Sequence, residues 1–576
     1  MENSIKMDRN VPMEMRDGTV LRADVYRPDD NGRYPAILIR TPYSKQLASD
    51  GFLSAVEAAQ AGFVIVIQDV RGRYQSEGKW DRLNMFEIEG SDGFDSVEWI
   101  AVQNFCNGNV GLAGGSYLAA MTWIGAMENP PHLKAISPWI GDIAPNMQPT
   151  PRSGVINFAT AADAIPVTSL DLVDKLEEQG QDVAELRSYL NKILNNPKEV
   201  IEYLPLKDIP LARNEIIRSM WEARLKPGSA QEQNKRKKYE KVKVPGLHVG
   251  GWYDQLEWAT FENFLAMQDR GGCTFARENQ NLLVGPWMHG APVNFLGERS
   301  FGASAGGGKS LEIHEYLLNF FRKHLTHMEI SLPTVKYFVM GSNEWKSGDS
   351  WPLPETKWVR YFFHSNGKAN TMAGDGELSI HEPYHENPDS YVYDPHDPVP
   401  TLGGKTMAST GLIPGPFDQT RVANRNDVLC YQSCKLEEDI EITGPIKVRL
   451  FASTTAVDTD FTAKLVDVYP DGRAFNIADG IQRASYRDWN APPTLVKPGE
   501  INEYIIDMGN TSNMFRKGHR IRIDVSSSNF PWYDRNMNTG NPIGEDRTGI
   551  KATQTIYHQQ DFASYIDLPI IPTRKG

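Results

Sequence analysis

A short segment around Ser116 constrains the fold of this chain most strongly. It reads G-G-S-Y-L over residues 114–118, with a short apolar run before it (110–113) and helical spacing after it (119–127). This order predicts a strand, a tight turn that carries one serine, and a helix. The first four positions fit the G-x-S-x-G nucleophile-elbow pattern, whereas Leu118 replaces the final glycine.

A turn of this kind would place the Ser116 hydroxyl at the carboxyl end of a sheet. The N-terminal amides and the positive dipole end of the following helix would then face any oxyanion that forms there. The alternative is a strand–helix connection whose small residues only allow close packing, because short glycine–serine motifs also recur by accident. Residues elsewhere in the chain decide between these two interpretations.

Composition and charge exclude several classes of protein. The chain has 576 residues, too many for one hydrophobic core, so about two to four domains are expected. Its net charge of −13 and its pI near 5.5 argue against nucleic acid or an anionic membrane as a partner. No apolar run approaches the roughly 20 residues that span a bilayer. The first six residues lack the apolar core of a secretory signal, so we expect a cytoplasmic protein.

Neither the cysteines nor the histidines indicate a metal site. The four cysteines suggest no disulfide framework and no zinc-binding set, so reduced, packed thiols are expected. Residues 381–385 spell the metalloprotease motif H-E-x-x-H, which binds zinc only on a helix. Pro383 within the motif disfavours a helix there. We therefore expect neither a metal nor a cofactor.

The first part of the chain alternates strand-like and helix-like segments. Apolar runs at residues 35–40 and 63–68 are typical of buried parallel strands, while residues 51–61 and 93–102 have helical spacing. This alternation predicts a doubly wound α/β sheet with helices on both faces. The hairpin signal Asp17-Gly18 indicates that the opening strands are antiparallel.

Changes of pattern along the chain predict four segments. They are a first α/β part (1–143), a helical insertion (144–240), a second α/β part (241–347) and a C-terminal jelly roll (348–576). Helical spacing, buried apolar runs and strands with one polar face support this division. These patterns lie at residues 170–195 and 211–225 (helices), 244–249 and 281–285 (buried strands), 311–325 (helix), and 446–451 and 520–525 (alternating strands).

The residues that would activate the serine are also present. A serine hydroxyl is a poor nucleophile at neutral pH unless a base and an orienting acid accompany it. In sheets of this type these partners follow in the order serine, acid, histidine, each in a loop after a strand. Asp254 follows the apolar run 247–249, and His289 follows the run 282–284. Both belong to the carboxyl edge that carries Ser116, so the sequence predicts a triad of these three residues.

Each partner also has an alternative explanation. Asp254 could cap a helix that begins near Leu256, as an aspartate does in many proteins. His289 could be a loop histidine that is bonded to the backbone, and Glu257 is the alternative acid. The order of the three residues and their shared edge favour the triad.

Further motifs occur in a fixed order along the chain. With the segment around Ser116, they resemble the motifs of the CocE/NonD family of hydrolases, which is related to the X-prolyl dipeptidyl peptidases. The likeness covers essentially the whole chain. The motifs are R-T-P-Y (40–43), Q-D-V-R-G-R-Y-Q-S-E-G (68–78), D-G-F-D-S-V-E-W-I (92–100), G-W-Y-D (251–254), G-P-W-M-H (285–289), V-Y-D-P (392–395), P-V-P-T (398–401) and N-F-P (529–531).

The resemblance implies an α/β-hydrolase domain with an inserted helical cap, followed by a C-terminal jelly roll. It also implies the triad, and an oxyanion hole formed by the backbone amide of Tyr117 and the hydroxyl of Tyr43, a rigid neutral donor. Packing of Tyr43 beside the strand end is the alternative. The family usually has glycine where this chain has Ala119, which should press slightly on helix–strand packing. Family members often self-associate, so a homo-oligomer is compatible with the sequence, which does not define the oligomeric state.

The expected activity is hydrolysis of a small-molecule carboxylic ester through an acyl-Ser116 intermediate. Amide or β-lactam acylation, amino-acid ester hydrolysis and X-prolyl dipeptidyl peptidase activity are alternatives. The last is disfavoured because the chain lacks an extra N-terminal domain that larger relatives carry. A non-catalytic binding protein with a vestigial hydrolase half is an alternative of another class, and the intact order of the triad argues against it.

Several other residues near the predicted edge have structural interpretations. Trp252 and Trp287, together with Trp139, are expected to line the wall of the substrate pocket. The charged residues of the loop after the second buried strand are expected to tie that loop to its neighbours rather than to act in chemistry. These charged residues are Asp69, Arg71 and Arg73.

Overall fold

Parallel strands form the centre of the first sheet. The structure, a computed structural model, describes residues 4–49, 53–81, 85–143, 153–209, 215–226, 237–306, 311–407 and 411–572. Its first twelve strands, β1 to β12, are Ile5–Glu14, Val20–Pro28, Tyr34–Thr41, Val64–Asp69, Cys106–Gly115, Leu133–Trp139, Gly246–Tyr253, Gln280–Met288, Phe295–Leu296, Arg299–Ser300, Val335–Val339 and Glu344–Gly348. Ten of them form one sheet in the order β1-β2-β4-β3-β5-β6-β7-β8-β11-β12, and β9 pairs with β10. From β4 to β11 every neighbouring pair in this sheet is parallel.

Helices cover both faces of this sheet, as the alternating pattern predicted. The helices α1 to α11 are Ala55–Gln60, Met85–Ala101, Tyr117–Met127, Phe158–Glu178, Ala184–Asn195, Lys198–Ile201, Glu215–Arg224, Glu257–Arg270, Thr274–Glu278, Leu311–Leu325 and Thr420–Ala423. Buried residues of α1 and α10 pack in one hydrophobic cluster against the sheet. Those of α2, α3 and α8 pack in a second cluster, which buries the other set of strand side chains. The sheet is therefore the middle layer of three.

Most of the predicted elements are present, with shifted ends. β1 and β2 pair as the antiparallel hairpin expected at Asp17-Gly18, and α10 has the predicted bounds. α2 begins at Met85, eight residues before the predicted start. α1 begins at Ala55, directly after Ser54, whose hydroxyl accepts the backbone amide of Glu57. The predicted helix started at residue 51; residues 51 and 52 lie outside the described part.

Helices α4 to α7 lie between β6 and β7 and share their own hydrophobic cluster. The single helical segment predicted over 170–195 is two helices, because α4 ends before Gly180, which has a φ of +79°. The helix predicted over 211–225 is α7; residues 211–214 lie outside the described part. Among the described residues, no helix is both long and apolar enough to cross a bilayer.

The C-terminal half forms a second, β-rich sheet system with the topology of a jelly roll. Its order is β15-β22-β17-β24-β13-β14-β16-β21-β18-β19, with β20 paired to β17 and β23 paired to β22. The predicted boundary after residue 347 falls near the end of β12, and the next strand begins at Lys357. Strands β13 to β24 are Lys357–His364, Glu377–Ser379, Asp389–Tyr393, Leu429–Gln432, Ile440–Thr454, Asp460–Val468, Ala474–Arg483, Asn502–Phe515, Arg520–Ser526, Ala552–Gln559, Phe562–Ala563 and Tyr565–Ile571.

The H-E-x-x-H sequence at residues 381–385 is not helical. It lies in the irregular segment between β14 and β15, where Pro383 is buried and both histidines are exposed. The imidazoles therefore do not share a helix face, which is the arrangement that zinc binding by this motif requires.

A buried histidine joins two strands of the jelly roll. The side chain of His558, on β22, has no exposed surface; its Nδ1 lies 2.9 Å from Glu386 Oε2 and its Nε2 lies 2.9 Å from Asp389 Oδ2. Tyr431 also donates to Asp389, and His364 contacts Glu386. Burial by itself lowers the pKa of His558, but the hydrogen bonds and charges of the two carboxylates outweigh it and the pKa is raised. Both ring nitrogens face acceptors, which favours the imidazolium.

We expect the jelly roll to lose stability as this imidazolium is titrated. Because the folded-state pKa of His558 is raised, its stabilising contribution is complete below the ordinary value of 6.5 and declines as the pH rises through the folded-state pKa. His558→Gln should lower the free energy of unfolding at pH 6 by about 3 kcal/mol and flatten this part of the pH dependence. Chemical denaturation of both proteins between pH 6 and about pH 9 measures the effect. Parallel pH profiles for the two proteins would contradict the assignment.

Candidate active site

Ser116 lies in a tight turn between a strand and a helix, as the sequence predicted. β5 ends at Gly115 and α3 begins at Tyr117, so a single residue makes the connection. The backbone of Ser116 has φ 58° and ψ −118°, a conformation that an L residue keeps only when its surroundings impose it. The Ser116 side chain makes no capping hydrogen bond to the helix. Its oxygen is directed instead to a histidine.

Two glycines make room for this turn. A Cβ on Gly114 would lie 2.4 Å from the Cβ of Leu118, so the leucine at the fifth motif position requires a glycine at the first. A Cβ on Gly141 would lie 2.4 Å from the Cβ of Ala119 and 2.9 Å from the carbonyl oxygen of Ser116. The methyl group of Ala119 is therefore accommodated by the missing side chain opposite it. This departure from the family pattern is compensated within the structure.

The three predicted triad residues meet at one edge of the sheet. Nε2 of His289 lies 2.8 Å from Oγ of Ser116, and Nδ1 of His289 lies 2.6 Å from Oδ1 of Asp254. His289 directly follows the last residue of β8, and Asp254 directly follows the last residue of β7. Since β5, β7 and β8 run parallel, their carboxyl ends present all three side chains on the same side.

Burial strengthens the contact between the histidine and the aspartate. The side chain of Asp254 has no exposed surface, and that of His289 is 7% exposed. Oδ1 of Asp254 also accepts the backbone amide of Leu256 at 3.0 Å, immediately before α8. The helix-capping contact that was the alternative explanation therefore coexists with the contact to His289. A charge-assisted hydrogen bond in so dry a site is stronger than one at the surface.

Glu257, the alternative acid, is engaged elsewhere. Its carboxylate accepts Nζ of Lys405 at 2.6 Å, and the backbone and side-chain amides of Asn510 at 3.0 and 2.7 Å. Burial raises the pKa of Glu257 in spite of these donors. The residue connects the first turn of α8 to β20 of the jelly roll, so this carboxylate does not orient His289.

Tyr43 lies beside the residue that follows the serine. Its ring packs edge-to-face on the ring of Tyr117, with the ring centroids 6.1 Å apart. The hydroxyl of Tyr117 accepts Nε1 of Trp80 at 3.2 Å, which fixes the second ring of the pair. Tyr43 is half-buried, and its backbone amide donates to the hydroxyl of Thr41 at the end of β3.

Buried charges hold the turn that carries Tyr43. Nε of Arg73 donates to the carbonyl of Pro42 at 3.0 Å. On the other side of the turn, Lys45 donates to Asp69 twice, through its backbone amide at 2.7 Å and through Nζ at 2.9 Å. Burial raises the pKa of Asp69 against the effect of this lysine. The turn is thereby fixed at the residues that precede and follow Tyr43.

Arg71 is directed away from this turn. It binds both carboxylate oxygens of Asp92 on α2 and also contacts Asp17 in the first hairpin turn. The contacts of Arg71, Arg73 and Asp69 confirm that these residues tie the loop after β4 to neighbouring segments.

Sequence reasoning missed several residues around the site. Trp80 and Lys45 were not singled out, nor were Thr168 and Asp171 of the cap, which contact Arg73 at 2.9 and 3.4 Å. One signal was available for the lysine, because a charged side chain that packs four residues beyond the end of a buried strand needs a buried partner. The cap residues carry no comparable signal.

The three tryptophans predicted to line the pocket, Trp139 among them, are buried in the core instead. Trp252 and Trp287 have no exposed surface. The indole nitrogen of Trp252 donates to the carbonyl of Phe338, and that of Trp287 donates to the carbonyl of Ala305, both at 2.7 Å. The expectation failed because both residues lie on strands, where the pleat directs their large rings into the packed layers rather than toward the carboxyl edge.

The sheet order and the serine-bearing turn define a serine hydrolase of the α/β-hydrolase fold. Residues 17–291 match the X-Pro dipeptidyl-peptidase (S15 family) domain, and residues 328–567 match the X-Pro dipeptidyl-peptidase C-terminal non-catalytic domain. The chain is 36% identical to cocaine esterase of Rhodococcus sp. (strain MB1 Bresler), over 99% of this chain and 100% of that protein. At this identity and coverage the chain belongs to the CocE/NonD family of hydrolases.

Solved structures share the same fold. An aminopeptidase from a marine sediment Thaumarchaeota archaeon superimposes with a TM-score of 0.76 at 23% identity, covering 99% of this chain and 97% of that chain. An α-amino acid ester hydrolase superimposes with a TM-score of 0.74 at 24% identity, with the same coverage. Both comparisons extend over the α/β part, the helical insertion and the jelly roll.

Filling the space opposite Ala119 should damage the serine turn. Gly141→Ala places a methyl group against the methyl of Ala119 and the carbonyl of Ser116, and such overpacking costs about 1–3 kcal/mol of stability. Ala119→Gly in the same chain should restore part of this loss, because one of the two clashes disappears. Chemical denaturation of the single and double variants measures both effects. Equal stability of Gly141→Ala and the parent protein would show that this contact does not constrain the turn.

Proposed function

We propose that this enzyme hydrolyses carboxylic esters through a covalent acyl intermediate on Ser116. The observation that carries the proposal is the continuous hydrogen-bonded chain from Ser116 through His289 to Asp254. Its two contacts, at 2.8 and 2.6 Å, have the lengths required for proton transfer and for orientation of the imidazole.

The proposed reaction has two halves. In the first, Ser116 Oγ attacks the ester carbonyl while His289 takes its proton at Nε2 and then delivers that proton to the leaving alcohol. In the second, a water attacks the acyl group, and the same nitrogen accepts the proton of the water and returns it to Ser116. Asp254 accepts the Nδ1 hydrogen of His289 throughout, which fixes the tautomer and stabilises the imidazolium.

The tetrahedral oxyanion would be bound by the backbone amide of Tyr117 and the hydroxyl of Tyr43. The amide is the first of α3, so the positive end of the helix dipole adds to it. The edge-to-face packing of the two tyrosine rings supports the second donor, because it holds Tyr43 beside the elbow. A neutral phenol in a fixed position stabilises developing charge without needing to reorganise.

A simple ester is favoured over a substrate with a free α-amino group. An amine-binding subsite would need an unpaired carboxylate. Two carboxylates are tied to the Tyr43 turn in the described part of the chain, Asp69 and Asp171, and they are paired with Lys45 and Arg73. The similarity to cocaine esterase, at higher identity than the likeness to the solved aminopeptidase, supports the same choice. We also propose a cytoplasmic location, which the four free thiols support.

A fluorophosphonate probe tests the nucleophile directly. The parent protein should be labelled at one serine, and Ser116→Ala should lose both the label and the esterase activity, by a factor of about 10⁶. Mass spectrometry of the labelled peptide identifies the modified residue. Ser153→Ala is a suitable control, since Ser153 is a buried serine of the cap junction whose backbone carbonyl accepts the amide of Arg483 in the jelly roll. Labelling of Ser116→Ala at an unchanged rate would end the proposal.

A panel of chromogenic substrates tests the ester preference. We expect kcat/KM for p-nitrophenyl esters to exceed that for the matched p-nitroanilides by at least about 100-fold, because the two carboxylates tied to the Tyr43 turn are already paired with cations. A dipeptide anilide with proline at the second position tests the S15 alternative. Faster cleavage of that anilide than of the esters would replace the esterase assignment with a dipeptidyl peptidase.

A further inference from the structure

One buried side chain, that of Arg73, connects the helical cap to the turn that carries Tyr43. It is 1% exposed. Nε donates to the carbonyl of Pro42 at 3.0 Å, and Nη1 donates to the carbonyl of Thr168, on α4, at 2.9 Å. The guanidinium therefore spans the gap between the residue before Tyr43 and a helix of the cap.

The same guanidinium is also linked to the tyrosines of the proposed oxyanion hole through the ring of Trp80. It lies over the ring of Trp80, 4.6 Å from the centroid. Trp80 in turn donates to the hydroxyl of Tyr117, whose ring packs on Tyr43. Arg73 thus reaches the two tyrosines along two routes, one through the Pro42 peptide and one through the indole of Trp80.

The cap supplies the charge that keeps this arginine in place. Oδ2 of Asp171, on α4, lies 3.4 Å from Nε of Arg73 and also accepts the backbone amide of Tyr74 at 3.3 Å. Tyr74 has a φ of +43°, so the loop after Arg73 is held in a backbone conformation that it would not adopt freely. A movement of α4 would move Asp171 and Thr168 together and would pull on Arg73.

The effect of Tyr43 on the reaction depends on the exact position of its hydroxyl. Tyr43 is half-buried, and the proline before it restricts the backbone, so a shift at Pro42 is passed on to Tyr43. A donor that is displaced by about 1 Å loses much of its effect on the transition state, at a cost that reaches about 100-fold in rate.

We propose that Arg73 is a positioning residue, which sets the Tyr43 hydroxyl at the oxyanion site and makes its placement depend on cap helix α4. The inference rests on the proposed function, because that function gives Tyr43 its role as an oxyanion donor. Arg73 itself takes no part in the chemistry. The inference predicts that the effect of changing Arg73 passes through Tyr43.

A double-mutant cycle between Arg73 and Tyr43 tests this dependence on a p-nitrophenyl ester. Tyr43→Phe should lower kcat by roughly 10²–10³, as the loss of one oxyanion donor does. Arg73→Lys keeps a positive charge beside Asp171 but cannot bond both carbonyls; it should lower kcat by about 10- to 100-fold and change KM less than about threefold. In the Tyr43→Phe background the same change should lower kcat by less than about threefold.

Arg71→Lys is the matched control, since Arg71 lies in the same loop and its ion pairs lead to Asp92 and Asp17 instead. This change should leave kcat within about threefold of the parent value. Thermal unfolding of every variant distinguishes a loss of stability from a loss of catalytic rate. If Arg73→Lys does not fold, Asp171→Asn replaces it in the cycle. This variant keeps Arg73 but removes its ionic partner.

The outcomes separate this inference from the proposed function. Equal losses in both backgrounds, an effect on KM alone, or no effect would each overturn the role of Arg73 while leaving the triad intact. Full activity of Tyr43→Phe, with labelling at Ser116 unchanged, would remove the phenol from the oxyanion hole and the positioning role with it. Loss of labelling specificity at Ser116 would instead defeat the proposed function.

Discussion

The parallel alignment of β5, β7 and β8 is the constraint on which the active site depends. Ser116 and His289 are 173 residues apart in the chain, yet their side chains meet because each follows the carboxyl end of a strand in the same sheet. The positive φ of Ser116 costs on the order of 1–3 kcal/mol, which the packing around Gly114 and Gly141 must sustain. The packed centre of the molecule thus holds the half-buried serine at the edge of the sheet although the backbone of Ser116 is strained.

Buried polar contacts join the three parts of the molecule, in addition to hydrophobic clusters that the parts share. Arg73 and Asp171 join the sheet edge to the cap. Asp534 of the jelly roll accepts the amide of Ile156 at the entrance to the cap and is itself paired with Arg483. Such contacts restrict the relative positions of the parts, because a small displacement leaves a buried charge without its partner. The parts are therefore held in a defined relative position.

Sequence reasoning correctly brought together three side chains that each follow the end of a strand. Ser116, Asp254 and His289 could be predicted because the order of the residues and the apolar runs before them identify one edge of a parallel sheet. Trp252 and Trp287 could not be assigned correctly, since whether a ring on a strand faces a pocket or the core depends on pleat and twist. The cap contacts of Arg73 were equally inaccessible, because helical periodicity gives the bounds of α4 but not its position over the sheet. The break near Gly180 was missed because the apolar spacing continues across it.

Glu257 connects the jelly roll to the helix that follows Asp254. It stands three residues after Asp254, and the partners of its carboxylate in the described part of the chain, Lys405 and Asn510, belong to the C-terminal half. A chain cut after the α/β part would lose these partners and expose the carboxylate at the start of the helix that follows Asp254. The C-terminal half thus contributes buried polar contacts that anchor this helix, and a cut would remove them even though Ser116, His289 and Asp254 all remained.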